Sequence, residues 1–283
     1  MAPTTPPRRR ILIVDDDRAL RHVLAALLTG AGHVVEQAGD GPAALVQLDA
    51  GGFDIVLLDI NLPGASGLDL LAHARQTATP PIVIMMTADD TPATLLSAVK
   101  GQAYRYLRKP FAPAAIVEVI DEAPAASATM SIEVISARPE WVELVAPCTL
   151  EMADRIQSFV MQLETGLPEK GREAVAQAFR ELLNNAIEWG GKLDPNRKVR
   201  ISCLRAKRLL MYRIADPGDG FDIDKLRHAA IANPADSPIE HAIVREELGL
   251  RPGGLGLMMT LSLVDELIYN EARNEVVFIK YLD

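Results

Sequence analysis

The chain has 283 residues, of which 29 are lysine or arginine and 38 are aspartate or glutamate, so its formal net charge is −9. This length is sufficient for two domains with buried cores, and neither half has the basic surface typical of a nucleic-acid reader. No apolar stretch approaches the length of a membrane span, and the N-terminus lacks a signal-peptide core. We therefore expect a cytoplasmic protein that binds neither nucleic acid nor membranes, with Cys148 and Cys203 as reduced thiols.

Short apolar runs in the first 110 residues each lead into a polar residue suited to phosphoryl chemistry. Helical patterns separate the runs, which favours buried parallel strands that alternate with helices. The runs end at the acidic cluster 15–17, at Asp59, at Thr87 and at Lys109. Because ligands collect beyond the carboxyl ends of such strands, we expect these side chains to converge on one crevice.

The residue types at these strand ends indicate a phosphate-accepting site. Carboxylates that lie close together repel one another, and a divalent cation such as Mg2+ relieves the repulsion. Asp59 can then act as a nucleophile towards a phosphoryl donor, while Lys109 and the Thr87 hydroxyl are suited to bind the transferred oxygens. In the alternative interpretation these aspartates only cap strands and helices, and the agreement of five spaced positions disfavours it.

This set resembles the response-regulator receiver domain over residues 10–122, an α/β fold with a doubly wound, flavodoxin-like parallel sheet. The resemblance implies an upstream sensor histidine kinase as phosphoryl donor. It also implies that Thr87 and Tyr106 form the switch pair that reports phosphorylation and that the Lys109–Pro110 peptide is cis. The implied Mg2+ ligands are Asp15, Asp16, Asp59 and the carbonyl oxygen of Asn61.

Residues 123–130 form a small-residue stretch with one proline, which predicts a linker. Pro124 also predicts the end of the preceding helix. At the N-terminal end of the receiver-like region, the basic run Arg8–Arg10 is predicted to be a solvated tail. Residues 131–283 then make up a second predicted domain.

The second domain has the pattern of an α+β layer rather than of another parallel sheet. Residues 222–252 are rich in proline, alanine and charge, which predicts a mobile segment. In chain order, the patterns predict strands at 132–137 and 141–145, helices from Thr149 to Leu163 and from Pro168 to Gly190, strands from Val199 to Leu204 and from Leu209 to Asp216, a helix from Leu255 to Leu267, and a strand from Val276 to Tyr281.

Three patches of this domain carry residues suited to nucleotide chemistry. Glu181 and Asn185 are four residues apart, so they share a face of the predicted helix. The run from Asp216 to Gly220 leaves a strand, where a carboxylate can accept a hydrogen bond from an exocyclic amine and glycines let the backbone approach a flat ring. The run from Gly253 to Gly256 opens a helix, whose first amides are suited to phosphates.

Each patch alone has a common structural explanation as surface groups, a turn or a helix cap. Their order and spacing resemble the Bergerat-fold (GHKL) ATPases over residues 131–283, which implies an α+β sandwich that binds ATP. The runs Gly254-Leu-Gly256-Leu and Leu263-Val-Asp-Glu266 are similar to the closing motif of the anti-sigma-factor serine kinases.

The resemblance implies that Glu181 is the general base that takes the hydroxyl proton of a serine or threonine. Trp189 stands where relatives often carry histidine, and we predict that it packs as core rather than serves chemistry. The residues implied to bind ATP and its Mg2+ are Asn185 at the metal, Asp216 at the adenine amine, Gly218 and Gly220 at the adenine wall, Arg251 at the γ-phosphate, and Gly254 and Gly256 at the phosphates.

The leading hypothesis is a response regulator whose output is a protein serine/threonine kinase. Its substrate would be a STAS-type anti-sigma-factor antagonist in a partner-switching pathway that controls a sigma factor. The alternative is a non-catalytic ATP-binding module that sequesters its partner; Glu181 favours the kinase, whereas Trp189 suits the binder. A sensor histidine kinase is excluded because the linker is too short for a dimerising helical hairpin. A homodimer is expected, since relatives of each half often dimerise.

Overall fold

The structure is a computed structural model that divides into two compact units between Ser131 and Ile132. Among the residues described, no helix has both the length and the apolar character needed to cross a membrane. The described residues are 8–88, 91–124, 131–138, 140–163, 167–222, 229–230, 233, 237, 239–247 and 254–282.

The first unit is built on a five-stranded parallel sheet with the strand order β2-β1-β3-β4-β5. The strands are β1 (Arg10–Val14), β2 (Val34–Ala38), β3 (Ile55–Asp59), β4 (Ile82–Thr87) and β5 (Arg105–Arg108). The helices between and after them are α1 (Arg18–Gly30), α2 (Gly41–Ala50), α3 (Gly67–Ala74), α4 (Pro92–Lys100) and α5 (Pro113–Glu122). The predicted doubly wound α/β fold is confirmed.

The central strands of this sheet are covered on both faces. All residues of β3 and β4 are buried, as are those of β1 after Arg10, and this is why their sequences are continuous apolar runs rather than alternating ones. The side chain of Asp17 accepts hydrogen bonds from the backbone N–H groups of Ala19 and Leu20 and so caps α1. The chain therefore turns into α1 directly after the end of β1, which fixes the neighbouring carboxylates beside the sheet.

Two residues of the predicted solvated run Arg8–Arg10 are held by the fold, whereas Arg8 is exposed. Arg10 is the first residue of β1, and its guanidinium lies 2.7 Å from a carboxylate oxygen of Glu36. The Arg9 guanidinium donates hydrogen bonds to the carbonyl oxygens of Ala123 and Pro124, directly after α5. For Arg9 the prediction was wrong because carbonyl groups at a helix C-terminus lack partners within the helix and attract a cation.

The second unit is an antiparallel sheet with helices, with the strand order β10-β11-β9-β8-β7-β6, which confirms the predicted α+β sandwich. Its strands are β6 (Glu133–Arg138), β7 (Trp141–Pro147), β8 (Lys198–Arg205), β9 (Leu209–Ala215), β10 (Glu266–Tyr269) and β11 (Glu275–Tyr281). Its helices are α6 (Leu150–Leu163), α7 (Glu169–Asn185), α8 (Glu240–Glu247) and α9 (Gly256–Leu263). A π-helical segment, Ala186–Gly190, continues α7.

Buried aromatic rings hold α7 against the sheet. The ring of Tyr212 on β9 stacks on Phe278 of β11 with centroids 4.8 Å apart. The ring of Phe179 on α7 meets Tyr212 edge to face at 5.5 Å. These contacts fix the face of α7 that carries the candidate site relative to the end of β9.

One predicted boundary in this unit was wrong. The last predicted helix was expected to continue to Leu267, but α9 ends at Leu263 and β10 begins at Glu266. Leu267 instead pairs with Phe278 across the sheet, so a partner distant in sequence overrides the local helical pattern. The mobility of 222–252 stays a prediction, and the residues described within this range include α8.

Candidate functional site

The first site is an acidic cluster beyond the carboxyl ends of β1 and β3. Asp15 and Asp59 are buried, whereas Asp16 is exposed. One carboxylate oxygen from each of the three lies within 4.8 Å of the others. This spacing and donor type fit a hard divalent cation such as Mg2+. Their convergence follows from the parallel sheet, since β1 and β3 are neighbours that end at the same edge.

Lys109 joins the two buried carboxylates of this cluster. Its Nζ donates hydrogen bonds to Asp59 Oδ2 at 2.5 Å and to Asp15 Oδ2 at 2.6 Å. Burial raises the pKa of Asp15 above its usual value, and the hydrogen bond from Lys109 offsets part of that rise. Burial alone would lower the pKa of Lys109, but the hydrogen bonds to both carboxylates outweigh it and the pKa is raised. The lysine therefore stays charged next to the candidate acceptor.

The remaining predicted residues of the first site lie at the same edge of the sheet. Thr87 is the last residue of β4 and is fully buried. The backbone N–H of Asn61 donates to Asp59 Oδ1 at 3.2 Å, so the segment that carries the predicted carbonyl ligand is tied to the acceptor. Tyr106 lies on β5 with an exposed fraction of only 6%. The Lys109–Pro110 peptide is cis, as predicted.

Gly67, the first residue of α3, is a supporting residue that the sequence interpretation missed. A Cβ built on Gly67 would overlap the carbonyl oxygen of Asp59, and its N–H donates to the Ile60 carbonyl at 2.9 Å. Only glycine lets α3 start this close to the acceptor. The sequence signal was the pair Ser66-Gly67, in which Ser66 caps α3 by accepting from Leu68 N–H.

The second site lies between the end of α7 and the start of α9. Glu181 and Asn185 occupy the last turns of α7, and both are partly buried. A Cβ built on Gly256, the first residue of α9, would overlap the Glu181 carboxylate. The carboxylate therefore lies directly against the glycine-rich helix start. Gly254 has a positive φ of 91°, and Arg251 lies outside the described residues.

Asp216 lies between two glycines at the end of β9. Its Oδ1 accepts a hydrogen bond from the N–H of Gly218 at 2.8 Å. A Cβ on Gly190 would overlap the Asp216 carboxylate, and one on Gly218 would lie 2.8 Å from its Oδ1. Burial raises the pKa of Asp216, while the Gly218 hydrogen bond and the nearby Arg197 charge oppose the rise. Gly190 was not predicted; the pair Gly190-Gly191 after a helical pattern was its only signal.

The loop after Asp216 carries an aromatic residue, Phe221, and a third glycine, Gly220. Phe221 meets Tyr269 edge to face, with ring centroids 5.5 Å apart. Burial and the charge of Asp216 raise the pKa of Tyr269 to about 12. Gly220 has a φ of 82°, and a Cβ there would overlap the Ala272 carbonyl oxygen. The Asp216 carboxylate thus lies against glycine backbone and close enough to Tyr269 to affect its pKa, an environment that suits a flat polar ring.

Trp189 does not pack as core, and that prediction was wrong. Its exposed fraction is 47%, and it precedes Gly190 in the π-helical segment. Ile187, two residues earlier in the same segment, is fully buried. Side chains two positions apart on a wide π turn point to nearly opposite sides, so the buried Ile187 leaves the indole at the surface. Trp189 directly precedes Gly190, the glycine that lies against Asp216. Such π segments occur frequently at functional sites.

Two family models match the chain. Residues 11–121 match the response regulator receiver domain, and residues 146–280 match the histidine kinase-like ATPase domain. The second match includes all predicted nucleotide-site residues, and the first includes the acidic cluster, Thr87 and Lys109.

Relatives and solved structures resemble part of the chain. The transcriptional regulatory protein TcrA of Mycobacterium tuberculosis is 37% identical over 102 residues, which are 36% of this chain and 40% of that protein. The sensory transduction protein RegX3 of Mycolicibacterium smegmatis is 41% identical over 101 residues, 36% of this chain and 44% of that protein. The chain thus spans less than half the length of these relatives.

Among solved structures, a CheY-like response regulator receiver domain protein from Methanospirillum hungatei has 31% identity and a TM-score of 0.40, and the match covers 41% of this chain and 93% of that one. The two family matches lie on the two compact units and cover the two sites described above. The chain is a fusion of a response regulator receiver domain with a histidine kinase-like ATPase domain.

Proposed function

We propose that this protein is a two-component response regulator that is phosphorylated on Asp59 and controls an ATP-dependent protein serine/threonine kinase in its second half. The position of the Glu181 carboxylate against Gly256 carries the kinase part of this proposal. It brings a carboxylate that can accept a proton next to the helix start that would bind phosphates. A base and a phosphate site in contact are what phosphoryl transfer to a hydroxyl group requires.

In the receiver, the Asp59 carboxylate would form a bond to the phosphorus of a phosphohistidine on an upstream sensor kinase as the phosphorus–nitrogen bond breaks. Lys109, already at 2.5 Å from Asp59, would bind the arriving oxygens together with the Thr87 hydroxyl. Mg2+, when bound, neutralises charge between the carboxylates and the phosphoryl group. Its ligands would be Asp15, Asp16, Asp59 and the Asn61 carbonyl, a donor set that fits this ion.

In the second half, Asp216 would accept a hydrogen bond from the exocyclic amine of adenine, with Gly218 and Gly220 leaving room for the ring. Gly254 and Gly256 would place backbone amides at the phosphates, where the N-terminus of α9 favours negative charge. Asn185 would hold the Mg2+ that accompanies ATP. The partial burial of Asp216 supports this assignment, because a hydrogen bond to a desolvated carboxylate discriminates strongly between ligands.

During transfer, Glu181 would take the hydroxyl proton of a serine or threonine while the oxygen attacks the γ-phosphorus and ADP leaves. We propose a STAS-type anti-sigma-factor antagonist as the substrate, in a partner-switching pathway that ends at a sigma factor. The resemblance of the runs 254–257 and 263–266 to the anti-sigma-factor serine kinases supports that choice. A homodimer is the proposed assembly.

One observation favours a second candidate, a non-catalytic module that binds ATP and sequesters its partner. The exposed indole of Trp189 lies next to Gly190, whose backbone touches Asp216. Exposed tryptophans beside a ligand site are effective anchors for a partner protein. In this function, ATP would fix the shape of the site and the partner would bind without being modified.

Incubation of the full chain with Mg2+, ATP and the antagonist distinguishes the two candidates. The intact mass of the antagonist should increase by one phosphoryl group. Glu181→Gln should reduce the rate about a hundred- to ten-thousand-fold while leaving ATP affinity nearly unchanged, because the glutamate acts as a base and not as a nucleotide contact. An unmodified antagonist in a stable, ATP-dependent complex would establish the binding module instead. Equal transfer by Glu181→Gln would remove this residue from the mechanism.

A further inference from the structure

The turn between β10 and β11, residues 270–274, packs against the loop 216–221 that follows β9; we refer to these as the β10–β11 turn and the Asp216 loop. The backbone N–H of Asp216 donates to the Asn274 carbonyl at 2.9 Å, and that of Phe221 donates to the Ala272 carbonyl at 3.2 Å. The Ala272 carbonyl also fills the space where a side chain on Gly220 would lie. The turn therefore contacts the loop at both ends.

The Asn274 side chain reaches the middle of the same loop. Its Nδ2 donates to the carbonyl oxygen of Gly218 at 2.8 Å. Its Oδ1 accepts from Nδ2 of Asn270 at 2.8 Å, and Oδ1 of Asn270 in turn accepts from the backbone N–H of Asn274 at 3.1 Å. The Asn270 contact fixes which end of the Asn274 amide is the donor, and that donor faces the loop.

An ion pair connects the turn to β9, the strand that leads into Asp216. Arg213 of β9 donates from Nε and Nη2 to the two carboxylate oxygens of Glu275, the residue after the turn, at 2.7 and 2.6 Å. These hydrogen bonds raise the pKa of Arg213 and lower that of Glu275, so both stay charged near neutral pH. A two-point contact of this kind restricts rotation as well as distance. The β10–β11 turn thus has a defined position relative to the end of β9.

Arg197 holds the other side of the Asp216 loop. Its guanidinium donates to the Pro217 carbonyl oxygen, which belongs to the same peptide group as the Gly218 N–H that binds the Asp216 carboxylate. Two successive carbonyls, those of Pro217 and Gly218, therefore each accept from a side chain that lies outside the loop. With both peptide planes held, the Gly218 N–H and the carboxylate it binds have a single orientation.

We infer that Asn274 is a positioning residue that directs the Asp216 carboxylate at the base of a bound adenine nucleotide. The inference rests on the proposed ATP binding and adds the residue on which selection of the base depends. Asp216 would recognise the exocyclic amine of adenine, so loss of its orientation reduces the preference for a base that carries this amine. The phosphate end of the nucleotide would lie at the start of α9, where Asn274 has no contact among those described.

Two substitutions of Asn274 test this role in the full chain. Asn274→Asp keeps the shape of the side chain and an acceptor for Asn270 but removes the donor to Gly218. Asn274→Ala removes the donor without adding charge. Affinities for ATP and for inosine triphosphate, which lacks the amine, are measured with Mg2+ by calorimetry, and the unfolding temperature is measured alongside. In both variants the ATP-to-inosine-triphosphate affinity ratio should fall by about tenfold, the effect of one well-placed hydrogen bond.

Glu271→Gln is the matched control, since Glu271 is exposed on the same turn and should leave the ratio unchanged. An Asn274→Ala protein that unfolds at a lower temperature but keeps the wild-type ratio has lost only structural support, and this outcome overturns the inference. If Asp216→Ala removes the preference for ATP over inosine triphosphate while both Asn274 variants keep it, the proposed ATP site stands and the inference fails. A wild-type protein that binds neither nucleotide overturns both the proposed ATP binding and the inference about Asn274.

Discussion

The two sites of this protein differ in what forms them: charged side chains in the receiver and glycine backbone in the ATPase unit. The receiver site consists of charged side chains in direct contact, with Lys109 between the buried carboxylates of Asp15 and Asp59. The ATPase site consists mostly of absent side chains, since glycines at 190 and 218 make room around a single half-buried carboxylate, Asp216. The first site should therefore fail when a charge is changed and the second when a methyl group is added.

The largest expected effect is at the acceptor itself. Asp59→Asn keeps the shape of the side chain but removes the nucleophilic charge, so labelling by acetyl phosphate and Mg2+ should be abolished. The control is Asp69→Asn, an exposed aspartate on α3, which should accept one phosphoryl group by intact mass. Full labelling of Asp59→Asn would show that another carboxylate is the acceptor.

The corresponding change in the ATPase unit is the addition of one methyl group. In Gly220→Ala the new Cβ meets the Ala272 carbonyl oxygen at a φ of 82°. The backbone must shift, and the free energy of unfolding of this unit should fall by more than about 3 kcal/mol. Gly171→Ala on α7 of the same unit is the control, because a Cβ there would meet only Leu167 Cδ2 at 4.0 Å, and alanine in a helix should not lower the free energy of unfolding. The free energies of unfolding are measured by urea titration. Similar losses in the two variants would show that the contact with Ala272 is unimportant.

Coupling between the sites should be intermediate in size. We expect beryllofluoride, which mimics the phosphoryl group on Asp59, to increase transfer by the second half about five- to 150-fold, the range of typical coupling free energies. The rate of antagonist phosphorylation is compared with and without the mimic. Asp59→Asn supplies the control, since it cannot form the adduct. The four samples are the wild type and Asp59→Asn, each with and without the mimic. An equal rate in all of them would mean that the two domains are only tethered.

The smallest expected effect is a difference in pH dependence. Burial raises the pKa of Asp216 above 3.8, and only the ionised form is a full acceptor for the adenine amine. ATP affinity should therefore fall as the pH decreases towards this raised pKa, at a higher pH than an ordinary aspartate would titrate. Asp216→Asn should bind ATP more weakly but with a flatter profile over the same range in calorimetric titrations. A wild-type profile as flat as that of the variant would exclude Asp216 as the titrating group.

Local sequence predicted that the residues of the first site converge, because their positions along the chain follow the ends of the strands. Asp59 and Thr87 are the last residues of their strands, and Asp15 and Lys109 directly follow theirs. The geometry of the parallel sheet then brings these residues together. The pattern of apolar runs therefore predicted both the parallel sheet and the edge of it at which these residues lie.

Most of the errors and omissions concern contacts between segments that are separated in the sequence. The four-residue β10 is stabilised by pairing with β11, and Gly67 is required by a carbonyl eight residues earlier. Asn274 reaches a loop 56 residues away in sequence. No local periodicity encodes such partners. Trp189 was placed in the core from its residue type alone, whereas the π-helical turn that exposes it has no simple sequence signature.

The contact of Arg9 with the end of α5 has a practical consequence for domain transplantation. The receiver boundary predicted from sequence, residues 10–122, excludes Arg9 as well as the carbonyl groups of Ala123 and Pro124 that accept its hydrogen bonds. A chimaera cut at those limits would join the new output to a helix whose terminal carbonyls have lost their cation. Grafts of this receiver onto other effectors should begin no later than residue 9 and keep the native chain through residue 124.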